Sequence, residues 1–389
     1  MNRKLSLVII MALVAVLVAC VRSATPSPTA VPSPAVKSTE KSAQSAAWQG
    51  DWDKLLKDAR SEGVLNLWVG GSGREEIRTN IARTFKEKFG VDTEWETGQG
   101  SDVVTKLKAQ RNAGLYNADI LMLGLNTYYT SELKPITDPM EPLLILPEVK
   151  DPRNFFAGKL PWGDPDTHVL AFGMGPTSIP VINTDLVKKG EISSIKDFLN
   201  PKWKGKIIYF DSRTSGPGVY WYRMVLKNVF PTEEEGRAYF RELAKNAESN
   251  TRDYRLMTEG IARGKYAIGL GMVMEQPLDF MKNGAHIDLL DTPEPRRVSN
   301  NWAVINTFKN RPHPAATQLF INWVLSKEGL TQVSNISMMG TTRVDIPTPP
   351  GLHPLLMPRK GDYVSDPAES QETDKYIKMI KEDFATLYQ

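Results

Sequence analysis

The sequence predicts an α/β fold in two lobes, each a mostly parallel sheet flanked by helices and joined to the other by crossover strands. Three observations predict it. From Asp51 onward short apolar runs alternate with helix-compatible stretches. Polar turns bearing Gly and Ser follow those runs, and two extended segments, residues 168–185 and 287–306, mark places where the chain passes between lobes.

The N-terminus fixes the compartment first. Arg3 and Lys4 precede an apolar run, residues 5–19, that Cys20 closes. The run is too short to span a bilayer comfortably and reads as a secretory signal over residues 1–19. Leu17-Val18-Ala19-Cys20 resembles the lipobox of bacterial lipoproteins, in which the cysteine is lipidated. Residues 20–49 then form a tether rich in Ser, Thr and Pro, with too little apolar surface to repay ordering. Cys20 is the single cysteine, so stability rests on a core and not on a disulfide. Net charge is +3 for the whole chain and two fewer once Arg3 and Lys4 leave, which argues against a nucleic-acid partner.

A helix over residues 51–60 stops near Gly63, and 64–69 is an apolar strand. After the turn Gly70-Gly71-Ser72-Gly73-Arg74, Ile77, Ile81, Phe85 and Phe89 recur at helical spacing. A second strand at 91–95, a turn ending at Ser101, a helix over 102–112 and a third strand at 119–123 complete a parallel unit. Ligands in such sheets bind at the carboxyl ends of strands, so the turns 70–74, 98–101 and 124–129 line one wall of a cleft. Residues 135–165 are proline-rich and irregular. The second unit holds a strand at 206–210, the turn Asp211-Ser212-Arg213-Thr214-Ser215-Gly216-Pro217-Gly218, a helix over 219–229 and further alternation to Asn283. Residues 315–325 form an amphipathic helix, 351–372 are loop-like, and Tyr376, Ile377, Ile380, Phe384 and Leu387 give the last helix one apolar face. The expected division is 50–178 plus 300–345 for lobe one, 179–299 for lobe two, and 346–389 for a C-terminal loop and helix.

Three phrases carry a family resemblance. They are Asn200-Pro201-Lys202-Trp203-Lys204-Gly205-Lys206-Ile207, Gly264-Lys265-Tyr266-Ala267-Ile268-Gly269, and His313-Pro314-Ala315-Ala316 leading into the run 320–329. In this order, behind a lipobox and a tether, the chain resembles the type II solute-binding proteins of ABC importers, a group that includes ferric-ion, thiamine, phosphonate and polyamine binders. The resemblance implies a type II periplasmic-binding-protein-like fold, a small-molecule ligand, an ABC permease as partner, an extracytoplasmic lipid-anchored location and a monomer, with no cofactor. Ferric-binding members usually carry adjacent tyrosines after the strand that corresponds to residues 266–271; here Met272-Val273-Met274-Glu275 follows, which disfavours bare iron. Tyr220 and Tyr222 cannot replace them, because two residues along a helix they point about 200° apart.

The ligand-binding set expected from these turns is Ser72, Gly73, Arg74, Ser101, Asn126, Asp211, Arg213, Thr214, Ser215, Gly216 and Tyr220. Helix starts favour negative charge, and Arg74 or Arg213 could add a bidentate bond to a carboxylate, phosphate or phosphonate. The competing readings are an ordinary N-cap at each serine, a solvated surface role for each arginine, and pairing of Arg213 with Asp211. Tyr128, Tyr129, Tyr220, Trp221 and Trp302 offer a different picture, an aromatic box around an organic cation, with core packing as its alternative. His168, His286, His313 and His353 are the only histidines; none has metal-ligand spacing and no nucleophile elbow occurs, so the expectation is a non-enzyme without a metal. A lipoprotein sensor without transport would carry the same residues.

Overall fold

The computed structural model describes residues 36–70, 75–249, 251–299, 303–365, 369 and 372–388, with the backbone alone for Asn126 and for residues 36–47. The signal, Cys20, the proline-rich start of the tether and the turn 71–74 lie outside the described residues. Residues 1–45 form one unit and 46–389 a second. Among the described residues no helix is long and apolar enough to cross a membrane.

Helix α1 (Val36–Glu62) is followed by β1 (Val64–Gly70), α2 (Glu75–Phe89), β2 (Asp92–Gly98), α3 (Gly100–Asn112), β3 (Ile120–Leu123), α4 (Leu125–Thr130), β4 (Thr137–Asp138), α5 (Pro147–Lys150) and β5 (Leu170–Ala171). The chain continues through β6 (Gly175–Thr177), β7 (Val181–Asn183), β8 (Ile207–Tyr209), α6 (Pro217–Asn228), α7 (Glu233–Leu243), β9 (Ala247–Glu248), α8 (Tyr254–Ala262), β10 (Ile268–Leu270), α9 (Glu275–Lys282) and β11 (Ile287–Leu289). It ends with β12 (Arg297–Ser299), β13 (Val304–Phe308), α10 (Pro314–Leu325), α11 (Lys327–Ser337), β14 (Tyr363–Val364) and α12 (Thr373–Asp383).

The first sheet has the order β2-β1-β3-β13-β4, with β5 also on β13; the second has the order β11-β7-β10-β8-β9. A short third sheet, β14-β12-β6, is built from segments that connect the other two. Pairing is parallel between β1 and both β2 and β3, and between β8 and both β9 and β10. Strands that enter after a passage between sheets, β7 and β13, run antiparallel to their neighbours. Within the two large sheets, parallel pairing is thus confined to the βα repeats, where a helical crossover returns the chain in the same direction. This is a two-lobed type II periplasmic-binding-protein fold.

Each large sheet has its own apolar core. Ile81, Phe85, Phe89, Phe320 and Trp323 pack on the first. Ile207, Tyr209, Trp221, Tyr222, Phe240 and Ile268 pack on the second. Residues 207–209 are buried on both faces, which is why that strand reads as an unbroken apolar run. The C-terminal helix joins the second core through Tyr376, Met379, Ile380 and Phe384, each worth about 1.5–3 kcal/mol when fully buried. Asp383 follows as a buried anchor, 2.9 Å from Arg237 and 3.1 Å from Arg241.

Some elements differ from the sequence reading. Residues 36–49, expected to belong to a tether too polar to order, are helical and continue into the helix expected from Asp51; Ala, Lys, Glu and Gln among them favour that state. The strand expected over 168–175 is split into β5 and β6. The turn expected at 124–129 is the short helix α4. Helix α11 is an element the sequence pattern does not mark; its cap is Ser326, whose side chain accepts the Gly329 N–H.

Candidate functional site

The carboxyl end of β8 opens into the polar turn at 211–218. Phe210 N–H donates to Leu270 O at 3.1 Å and Asp211 N–H to Thr251 O at 3.0 Å, tying the start of the turn to its neighbours. Asp211 is buried and accepts from the Arg213 backbone N–H at 3.1 Å and from its guanidinium at 3.0 and 2.6 Å. Burial pushes the Asp211 carboxyl up, but the hydrogen bonds and charge of Arg213 outweigh it and hold the carboxyl below its ordinary value. Arg213 thus pairs with Asp211, and half of its side chain remains exposed. Ser212 is fully buried; its hydroxyl donates to Phe210 O at 2.8 Å and its N–H to Tyr388 Oη at 3.3 Å.

Beyond Asp211 the turn faces solvent at Thr214 and Ser215 and enters α6 at Gly216. Gly216 is the N-cap, in extended conformation, with Pro217 at the first helical position and no side-chain cap bond. An ordinary Ser or Thr cap is therefore not what this turn supplies; the Phe210 ring packs against Gly216 instead. Tyr220, one turn along, is half-buried, whereas Tyr222 points into the core and donates to Asp383.

Backbone packing makes this arrangement possible. A Cβ on Gly218 would lie 2.1 Å from Ser212 Oγ. Gly271, at φ +68° just after β10, has its Cβ position 2.6 Å from Gly218 Cα. The ends of β8 and β10 thus meet α6 backbone to backbone, and Tyr209 Oη–H fixes the contact by donating to Gly218 O at 2.6 Å.

On the first sheet the corresponding turn is only partly described, since Ser72, Gly73 and Arg74 lie outside the described residues. Ser101 does not cap α3, as the sequence reading expected. The helix starts at Gly100 with Gln99 as N-cap and no side-chain cap bond, so Ser101 already lies in the first turn; its hydroxyl is 3.3 Å from Asp102 Oδ1. Asn126 lies in α4, and its side chain is outside the description. The aromatic box is not gathered: Tyr128 and Trp221 are buried in separate cores, and Trp302 is outside the described residues. Met272 and Met274, at the positions where the resemblance to ferric binders would lead one to expect tyrosines, are buried after β10. Among the described residues no group of three or more His, Cys, Asp or Glu could hold a metal ion.

Residues 80–354 match the family model of the bacterial extracellular solute-binding proteins. The chain belongs to that family. The solute-binding protein is also similar to an uncharacterized protein of Haemophilus influenzae, 23% identical over 285 residues, covering 70% of this chain and 75% of that one. Among solved structures it resembles FutA (IdiA) of Trichodesmium in complex with iron and citrate, with a TM-score of 0.60 and 17% identity over 82% of this chain and 99% of that one. It resembles AfuA of Actinobacillus pleuropneumoniae with bound fructose-6-phosphate at a TM-score of 0.52 and 20% identity, again over 82% and 99%. At these identities the likeness is one of fold.

The solute-binding protein also uses residues at this turn that its sequence did not single out. Arg252 donates to Asp211 O at 2.7 Å, Thr214 O at 3.4 Å and Ser215 O at 2.8 Å, and its guanidinium lies 4.9 Å from the Phe210 ring centroid. Phe210 in turn stacks on Tyr254 at 5.0 Å and 16°. Tyr388, near the C-terminus, receives the Ser212 N–H and lies under the Arg213 guanidinium at 5.1 Å. Both act across large sequence separations, and no local pattern marks either.

Proposed function

We propose that this solute-binding protein is the lipid-anchored, monomeric receptor of an ABC importer, held at the membrane through Cys20, and that it traps a small anionic organic solute by closure of its lobes without covalent chemistry. The observation that carries the ligand class is the start of α6, which has no side-chain cap although the turn before it is polar and partly exposed. A helix N-terminus without a cap favours a carboxylate or phosphate by about 0.3–1 kcal/mol, and by more where closure excludes water. The ligand set is the turn Asp211, Arg213, Thr214, Ser215 and Gly216 with Tyr220 from one sheet, and Ser72, Gly73, Arg74, Ser101 and Asn126 from the other. Asp211 serves to position Arg213, whose guanidinium remains half-exposed and able to take a second partner. The phosphate ester bound by AfuA is compatible with this reading.

A ferric ion or iron complex is the alternative, favoured by the likeness to FutA with iron and citrate. The buried methionines after β10 weigh against bare iron, since a hard trivalent ion takes oxygen and imidazole donors and not thioethers. Isothermal titration against carboxylates, phosphonates, phosphate esters, thiamine esters, polyamines and ferric citrate tests the class. Binding of an organic anion that Ser215→Pro weakens at least tenfold with the fold retained supports the proposal. Binding of polyamines alone would sink it.

A further inference from the structure

Two arginines lie buried together behind the first turn of α6. Arg223 on α6 is 1% exposed, and Arg297 on β12 has 12% of its side chain exposed. Among the described residues they share one carboxylate, Glu369, which pairs with Arg223 and lies 3.5 Å from Arg297 Nη2. Arg223 Nη1–H also donates to Glu369 O at 2.7 Å, and Arg297 Nη1–H to Thr177 Oγ1 at 3.2 Å. Tyr220 lies against both, its ring centroid 4.8 Å from the Arg297 guanidinium and 5.9 Å from that of Arg223.

The charges do not balance. Two guanidinium groups share Glu369, the other carboxylate acting on Arg223, Glu372, is itself paired with Lys227 at 2.8 Å, and Arg297 Nε is buried with no hydrogen-bond partner among the described residues. An uncompensated buried charge is strongly unfavourable, so a cluster with surplus positive charge is a place where a bound anion would be stabilised. Burial, and after it repulsion from Arg223, pulls the Arg297 pKa down to about 10, which leaves it charged at neutral pH. The surplus also adjoins the turn. Thr177 accepts from Arg297, and the next residue, Ser178, donates from its hydroxyl to Pro217 O at 3.3 Å, at the first residue of α6.

We propose that Arg297, backed by Arg223 and Tyr220, is an oxyanion site beside the turn at 211–218 that takes a phosphate or carboxylate group, either as a free ion or as the anionic end of the transported solute. Arginine fits the task because its planar fork can give an oxyanion two parallel bonds. The site deepens the reading above and rests on it only for the second source. Glu369 is then a competing internal carboxylate, and removing it strengthens anion binding.

The test is calorimetric titration, with thermal shift in parallel, using inorganic phosphate and glycerol 3-phosphate at ionic strength matched with sodium chloride. Wild-type protein is expected to bind at least one of them saturably with one-to-one stoichiometry. Arg297→Met weakens that binding at least tenfold, Arg297→Lys retains part of it, and Glu369→Gln tightens it several-fold. Tighter binding of inorganic phosphate assigns the free ion, and tighter binding of the ester assigns the solute's own anionic end. Absence of saturable binding of both, or binding unchanged by Arg297→Met, overturns the proposal. If Arg297→Met does not fold, Glu369→Gln decides alone, because a merely structural pair predicts no gain in affinity. Should neither probe bind while Ser215→Pro still loses an organic anion found by titration, this site falls and the cleft reading stands.

Discussion

Replacing Arg252 with Ala should loosen the polar turn at 211–218 without unfolding the lobe that carries it. The side chain makes two short charged bonds, to the carbonyls of Asp211 and Ser215, and a longer one to Thr214 O. Such bonds are worth about 1.5–3 kcal/mol each when buried, but Arg252 is exposed, so together with its stacking on Phe210 they contribute roughly 1–2 kcal/mol. The turn has few other restraints beyond Thr214, so most of that loss falls on its local opening free energy. Amide hydrogen exchange at Asp211, Ser212, Arg213 and Val219 should then accelerate about 5- to 30-fold, while β10 and α7 exchange as in wild type. Arg252→Lys keeps the charge but not the fork and should fall between. Unchanged exchange at residues 211–219, or equal acceleration throughout the second sheet, would refute the reasoning, since the first denies the clamp and the second makes it a global stabiliser.

The other predictions concern the same framework. Tyr388→Phe removes the acceptor for the Ser212 N–H and should cost about 1 kcal/mol in urea unfolding, with faster exchange at Ser212. Asp211→Asn should cost about 0.5–1 kcal/mol at pH 7, discounted because Arg213 is half-exposed. The Asp211 carboxyl is held low in the folded state, so its contribution is complete above about 3.9 and is lost as pH falls through the lower folded value; the difference between variant and wild type should vanish in acid unfolding curves. Gly271→Ala places a Cβ against Gly218 at a left-handed φ and should destabilise by about 2–4 kcal/mol, read as a fall in melting temperature. Ser326→Ala removes the cap of α11 and should cost about 1 kcal/mol with ligand affinity unchanged.

The parts of the fold that local pattern encodes were legible. The run 207–210, the polar turn and the helix after it follow from a buried strand, Gly and Pro punctuation and a run of helix formers, and the structure places β8 and α6 there. The alternation also separates the two sheets, because each βα unit carries its own apolar face. Pairing direction in the crossover strands was not legible, since Val181–Asn183 and Val304–Phe308 look alike whether they run parallel or antiparallel. The same limit hid the supports of the turn. Arg252 reads as one more charged loop residue and Tyr388 as part of a fading helix, until folding brings them within hydrogen-bond distance of residues 41 and 176 positions away. Ser101 shows the converse: a serine near a helix start suggested a cap, but the helix begins two residues earlier than expected, at Gly100, whose backbone packs on Gly70.

The central claim is that the second-sheet turn grips an organic anion. Native mass spectrometry of the chain from Ala46 onward, as purified, tests it most directly, because a retained ligand reports its own mass. The account predicts an adduct whose mass and fragmentation identify a carboxylate, phosphonate or phosphate ester, absent from the Ser215→Pro protein. An adduct of iron alone, or of a polyamine, retained equally by Ser215→Pro, would contradict it.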